Sequence, residues 1–356
     1  MNHLAHLYRL RLASAGAALL MGAGAAQAGA FSDIYLLGDS LADQGNLYQA
    51  SLATTGAGIP ASDHYFDGRF ANGEVYSGLL AQGLGLTLSR SSAGGNNFAY
   101  GGARADYNSV EGPPGSGGFP PGLFPWSLNL EKAAFEARHV NNPNALYAVF
   151  SGSNDVSDLI GDSARFGFNS TKAQSDAAVQ STLAVIDAFK AAGARYVLVP
   201  NLPDLGLVPK IISLNAVYGF NVSGLATALT VRFNDTLDAA LDQVTGVEII
   251  RFSTFNMLRQ VHDQPASFNL SNVTEPCYTG FVDPASPTAT VCANPQSYLF
   301  WDAEHPSTAM HAVMANAMLG AVNAAVPEPD AAALLAVGLA ILALVKWRRR
   351  AASDRL

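Results

Sequence analysis

A serine directly after an apolar segment, in Gly38-Asp39-Ser40-Leu41, and an Asp-x-x-His pair far down the chain, Asp302 and His305, have the types and spacing that suit nucleophilic chemistry. A serine hydroxyl is a poor nucleophile at neutral pH until a base accepts its proton. The base must in turn be held in one tautomer by an acceptor on its other nitrogen. His305 suits the base and Asp302 the acceptor, because a D-x-x-H spacing within one turn lets the carboxylate reach the imidazole without a third segment. His64, His139, His262 and His311 are the other histidines beyond residue 28. His311 lies six residues beyond His305 and, on a helix, would point roughly 240° away from it. Asp39 and Asp155 flank the same motifs and read as acceptors that fix loops rather than as acids.

These residues need elements to position them. Ile34-Tyr35-Leu36-Leu37, Ala145 to Phe150, Tyr196-Val197-Leu198-Val199 and Val247 to Phe252 are short apolar runs of strand type. Lys172 to Ala192 and Leu225 to Val244 carry apolar residues at helical spacing, and a last helix is expected after Pro306, to about Asn323. Such alternation predicts an α/β fold, a three-layer α/β/α arrangement around a roughly five-stranded parallel sheet of flavodoxin-like winding. Ser40 then sits at the carboxyl edge of the sheet, near the start of the next helix, where open α/β sheets present ligand sites. Gly112 to Pro125 is too rich in Gly and Pro for either element and reads as a surface loop. Its Phe119, Leu123 and Phe124, with Trp126, either line an acyl site or pack the loop onto the domain. Residues 265–300 form a long polar insertion ahead of the last helix.

The motif around Ser40 extends to Asp43-Gln44-Gly45-Asn46, and three more blocks follow in order: Asn97-Phe98-Ala99-Tyr100-Gly101-Gly102-Ala103, Gly152-Ser153-Asn154-Asp155 and Asp302-Ala303-Glu304-His305-Pro306. No G-x-S-x-G elbow of the α/β-hydrolase type occurs. With Gly68-Arg69-Phe70-Ala71-Asn72-Gly73 and Gly193-Ala194-Arg195-Tyr196, the pattern spans roughly residues 31–320 and resembles the SGNH/GDSL hydrolase family, its secreted bacterial esterase and lipase branch nearest. The resemblance implies an SGNH hydrolase fold and a carboxylic ester hydrolase that works through an acyl-enzyme on Ser40, with no cofactor or metal. It also implies an oxyanion hole formed by the N–H groups of Ser40 and Gly102 and the side-chain amide of Asn154. A one-residue shift would give Gly102's role to Gly101.

The ends read as addresses. His3, His6, Arg9 and Arg11, an apolar stretch from Leu12 and the small-x-small site Ala26-Gln27-Ala28 predict a signal peptide over 1–28. Val326-Pro327-Glu328-Pro329, the apolar run from Ala331 to Val345 and the cluster Lys346, Trp347, Arg348, Arg349, Arg350 resemble a PEP-CTERM sorting signal over 327–356, with a short transmembrane segment. That resemblance implies an exosortase-type processing peptidase as partner, transient membrane contact, and export to the cell surface, the extracellular matrix or an outer-membrane-associated place in a Gram-negative bacterium. The hydrolase domain is then 29–326. Over that span 13 Lys and Arg face 25 Asp and Glu, a net charge of −12, which disfavours nucleic acid as a partner. Cys277 and Cys292 are a candidate disulfide in an oxidising compartment, and without clustered histidines they do not make a zinc site.

Composition leaves the substrate open among lipid or other acyl esters and acetylated exopolysaccharide. A catalytically silent surface protein that binds polysaccharide through the same scaffold is the alternative from a different class.

Overall fold

Strand β1 (Asp33–Gly38) is buried from its second residue onward and strand β2 (Ala145–Phe150) along its whole length, as expected of parallel strands covered on both faces. The computed structural model describes residues 31–106, 126–280, 289–326, 338–344 and 346. Strands β3 (Tyr196–Pro200) and β4 (Glu248–Phe252) complete a four-stranded parallel sheet in the order β1-β2-β3-β4. The sheet is therefore one regular strand smaller than expected. The fifth position is occupied by the extended segment Asn96–Tyr100, which runs beside the free edge of β1. Its hydrogen bonds are Leu36 N–H to Asn96 O (3.0 Å), Phe98 N–H to Leu36 O (2.7 Å) and Tyr100 N–H to Gly38 O (3.2 Å). The chain thus leaves β1 toward one edge and returns to β2 on its other side. That reversal is the topological switch point at which such sheets bind ligands.

Helices α1 (Asn46–Thr55), α2 (Tyr76–Gly83), α3 (Leu128–Glu136), α4 (Ser153–Phe166), α5 (Lys172–Ala191), α6 (Pro209–Tyr218), α7 (Val222–Leu241), α8 (Thr254–Asp263) and α9 (Thr308–Ala325) surround the sheet. On one face α3 and α5 lie against β1 and β2, and α7 packs beside α5; α9, paired with α2, reaches β4 and β6. Helix α7 begins three residues before its apolar periodicity does, because the Asn221 side chain accepts from Gly224 N–H and caps it. Met310, Met314, Met318 and Val322 recur at every fourth position of α9 and form its buried stripe.

Pairing ties together the described parts of the insertion ahead of α9. β5 (Asn272–Pro276) runs parallel to β6 (Tyr298–Phe300), and Cys277 and Cys292 are joined as a disulfide. Cys277 N–H donates to Phe300 O (3.1 Å) and Tyr278 N–H to Trp301 O (2.6 Å), so the bridged segment grips the strand that leads into Asp302. Contacts group Phe31–Ala325 as one unit, while residues 338–344, in a second unit, are helical. The expected leader at 1–28 and the loop residues Phe119, Leu123 and Phe124 lie outside the described residues, as does most of the expected tail. Among the described residues no helix is long and apolar enough to cross a membrane.

A bridge that closes 15 residues should contribute about 3 kcal/mol through the unfolded chain. Cys277→Ala/Cys292→Ala is expected to lose that much unfolding free energy in urea. An unchanged midpoint would show the bridge to be dispensable.

Candidate active site

Gly38 and Phe150 are paired across β1 and β2, so both strands end level and the residues after them emerge at one edge. A Cβ on Gly38 would lie 2.4 Å from Phe150 O, which explains a glycine there. Ser40 follows in a turn closed by Ala42 N–H and Asp43 N–H to Asp39 O, and Asp39 Oδ1 accepts Leu41 N–H at 3.1 Å. Ser40 was expected near the start of a helix; α1 begins only at Asn46, because this turn intervenes. Asp43 accepts N–H donors from Gly45 (2.8 Å), Asn46 (2.6 Å), Leu47 (3.1 Å) and Gly101 (2.8 Å), tying the serine turn to the glycine turn.

Asp302 and His305 lie at the tip of a hairpin. Trp301 N–H donates to His305 O (2.8 Å) and Ser307 N–H to Leu299 O (2.8 Å), which folds the chain back within five residues. The geometry then closes: His305 Nε2 is 2.9 Å from Ser40 Oγ, and His305 Nδ1 is 3.0 and 2.9 Å from the two Asp302 oxygens. Asp302 is fully buried, and its oxygens also accept from Glu304 N–H (2.7 Å), His305 N–H (2.7 Å) and Tyr65 O–H (2.7 Å). Burial alone would lower the His305 pKa, but the Asp302 carboxylate and its hydrogen bond outweigh that, and the net shift is upward. Phe70 covers the imidazole, ring centroids 4.8 Å apart.

The glycine turn is fastened to α4 from three sides. Asn154 Nδ2 donates to Ala103 O (3.1 Å), Asp155 Oδ1 accepts Ala105 N–H (3.0 Å), and Asp158 holds Arg104 through a two-bond pairing (2.7 and 2.8 Å). Arg104 also donates to Gly102 O (2.8 Å). Gly102 takes a positive φ of 74°, a conformation open to glycine at little steric cost. The N–H of Gly101 is engaged by Asp43, whereas the N–H groups of Ser40 and Gly102 make no hydrogen bond among the described residues. Burial pushes Asp39 and Asp155 up to about 6. Glu131, fully buried, accepts from Gly38 N–H (2.9 Å) and Tyr100 N–H (3.1 Å).

Ser40, His305 and Asn154 line one cleft with about 830 Å³ of empty space, part of it open to solvent. Its other walls are largely apolar, with Leu205, Met257, Leu258, Met310 and Met314 among them. Trp126 does not line this cleft; it stacks on Tyr100 at 4.6 Å and packs against the cluster of Leu47, Phe70 and Tyr100. His311 is also apart from the cleft. It is buried, accepts Tyr76 N–H at Nδ1 (3.1 Å), and is kept neutral by burial, which lowers its pKa to about 3. Among the described residues no group of three or more metal-ligating side chains occurs.

Sequence reasoning missed Tyr65, Arg104 and Glu131. Tyr65 lies just before the Gly68–Gly73 block, and Arg104 directly follows the Asn97–Ala103 block with an acid four residues after Asn154 as its partner, which are faint signals. Nothing marks Glu131.

A model of the GDSL-like Lipase/Acylhydrolase family matches residues 34–318. The chain is 24% identical over 326 residues to a GDSL esterase/lipase of Arabidopsis thaliana, covering 80% of this chain and 88% of the relative. It is 25% identical over 332 residues to a phosphatidylcholine-sterol acyltransferase of Aeromonas hydrophila, with 80% and 88% covered. Against esterase EstA of Pseudomonas aeruginosa it is 28% identical over 314 residues, 78% of this chain and 44% of that protein. With four ordered motifs converging on one sheet edge and a family match across most of its length, the chain belongs to the GDSL-like lipase/acylhydrolase family.

Proposed function

We propose that this chain hydrolyses carboxylic esters by two-step acyl transfer on Ser40. The observation that carries the reading is the unbroken hydrogen-bond succession from Ser40 Oγ through His305 to Asp302 in the wall of an apolar cleft. Ser40 Oγ attacks the ester carbonyl while His305 Nε2 takes its proton, and Asp302 stabilises the imidazolium through Nδ1–H. The N–H groups of Ser40 and Gly102, with the Asn154 amide, receive the developing oxyanion. Gly102 is favoured over Gly101 because the Gly101 N–H is already committed to Asp43. Collapse of the tetrahedral intermediate passes the proton from His305 to the leaving alcohol. A water activated by the same histidine then releases the acid and regenerates Ser40.

The cleft walls support an apolar acyl chain as the group held there, and so a lipase or carboxylesterase rather than an exopolysaccharide acetylesterase. A silent polysaccharide-binding scaffold would have no use for a buried Asp–His–Ser succession. Residues 1–28 are read as an export leader and 327–356 as a sorting tail handled by an exosortase-type peptidase. The Cys277–Cys292 bridge supports an oxidising destination.

In a p-nitrophenyl butyrate assay Ser40→Ala is expected to abolish turnover. Asn154→Ala should raise the barrier by about 2–4 kcal/mol, seen in kcat; normal turnover by Ser40→Ala would overturn the assignment.

Catalysis needs neutral His305. Because its pKa lies above 6.5, kcat/KM should be low in acid and rise with pH through a midpoint above that value. Asp302→Asn should move the midpoint down, since it removes the strongest opposition to burial and leaves only the weaker pull of Glu304 and Asp39. A wild-type midpoint below 6.5 would contradict this.

Tyr65 acts through Asp302. Tyr65→Phe should lower kcat roughly tenfold at nearly constant KM, the cost of one hydrogen bond to a charged group. An equal fall in kcat and thermal stability would instead mark a purely structural contact.

A further inference from the structure

Two largely apolar clefts share a wall, and Ser40 lines one of them. One is the cleft lined by Ser40, Asn154 and His305; the other is a groove between α4 and α6, with about 1090 Å³ of empty space partly open to solvent. Ser157, Lys210 and Ile211 line both, so the groove begins where the catalytic cleft ends. Its two walls start at the site. Helix α4 carries Asn154 in its first turn, and at the start of α6 Lys210 N–H donates to Ala303 O (2.9 Å), inside the Asp302–His305 turn. From Ser157 to Arg165 and from Lys210 to Tyr218 each wall runs about 12 Å along its helix.

The groove offers hydrocarbon rather than charge. Ile160, Leu214, Tyr218, Phe220 and Val222 form much of its lining, and Tyr218 and Phe220 remain 61% and 44% exposed. The charged residues there are already engaged. Lys210 pairs with Glu304, Asp158 with Arg104, and Arg165 lies over the Phe166 ring at 4.9 Å. The two rings meet each other, centroids 6.1 Å apart, and both stay open to water. A contiguous apolar surface open to water and joined to a reacting centre marks a place for a ligand's apolar part.

We infer that this groove binds a second hydrocarbon chain of the substrate, so that the preferred ester carries a long apolar chain on each side of the scissile bond. One chain lies in the catalytic cleft and the other between α4 and α6. The inference rests on the ester-hydrolase reading of Ser40 and adds the class of ester.

Gly161 makes the test specific. It lies on α4 in the groove lining, and a Cβ built there meets nothing within 4 Å, so a large side chain can enter the groove without displacing the core. Glycine is also a poor helix former, so replacement favours α4. Values of kcat/KM for ethyl hexanoate, hexyl acetate and hexyl hexanoate, each below its solubility limit, are to be compared between wild type and Gly161→Trp. Gly161→Ala and melting curves serve as controls for folding. Wild type is expected to prefer the two-chain ester at least tenfold over each one-chain ester, and Gly161→Trp to lose most of that preference while Gly161→Ala keeps it. Equal efficiency on all three esters, or an undiminished preference in a folded Gly161→Trp, overturns the two-chain assignment alone and leaves the groove to another occupant. Hydrolysis of none of the three by wild type overturns the esterase reading and this inference with it.

Discussion

The hydrogen bond between Ser40 Oγ and His305 Nε2, 2.9 Å long, joins residues 265 positions apart, and much of the surrounding structure serves to hold its two ends still. The serine end rests on the level ends of β1 and β2 and on Asp43, whose carboxylate gathers four backbone N–H groups. The histidine end rests on a hairpin gripped by the Cys277–Cys292 segment through Phe300 and Trp301. A carboxylate as buried as Asp302 is costly unless its lone pairs are filled. Tyr65, two backbone N–H groups and the imidazole fill them, so the stability of the turn and the orientation of the imidazole come from the same bonds.

The same pattern organises the glycine turn on the other side of Ser40. Asn154, Asp155 and Asp158 project from the first turns of α4 and fasten residues 103–105 by an amide, a carboxylate and an ion pair. Arg104 reaches Gly102 O and so fixes the peptide that follows this glycine, directly beside its N–H. Preorganisation of this kind lets donors stabilise developing charge without reorienting during the reaction. It also explains the density of buried polar residues behind a single serine, where Asn46 bridges Asn97 O and Ala99 O while Asn97 reaches Ala42 O.

How much was legible follows from which contacts are local. Strands β1 and β2 were readable because their apolar runs are unbroken, and the Asp302–His305 turn because its spacing is short. Ser40, Gly102 and Asn154 stood out through the order of their motifs, which the structure brings to one edge of the sheet. The fifth strand was not legible as it stands: Asn96–Tyr100 pairs with β1 over only a few residues, between glycines at 94–95 and 101–102, so it is extended without being regular. Tyr65 and Glu131 act across 237 and 93 residues, and no periodicity encodes such partners. The groove between α4 and α6 was equally invisible, because it depends on two helices meeting rather than on any one segment.

The central claim is that Ser40 is the nucleophile and His305 its base. Labelling the native protein with a fluorophosphonate, which phosphonylates activated serines, and locating the adduct by peptide mass spectrometry tests it most directly. A single adduct on the peptide containing Ser40, formed rapidly in wild type and lost in a folded His305→Ala, is the predicted result. Labelling at another serine, or none in folded wild-type protein, would contradict it.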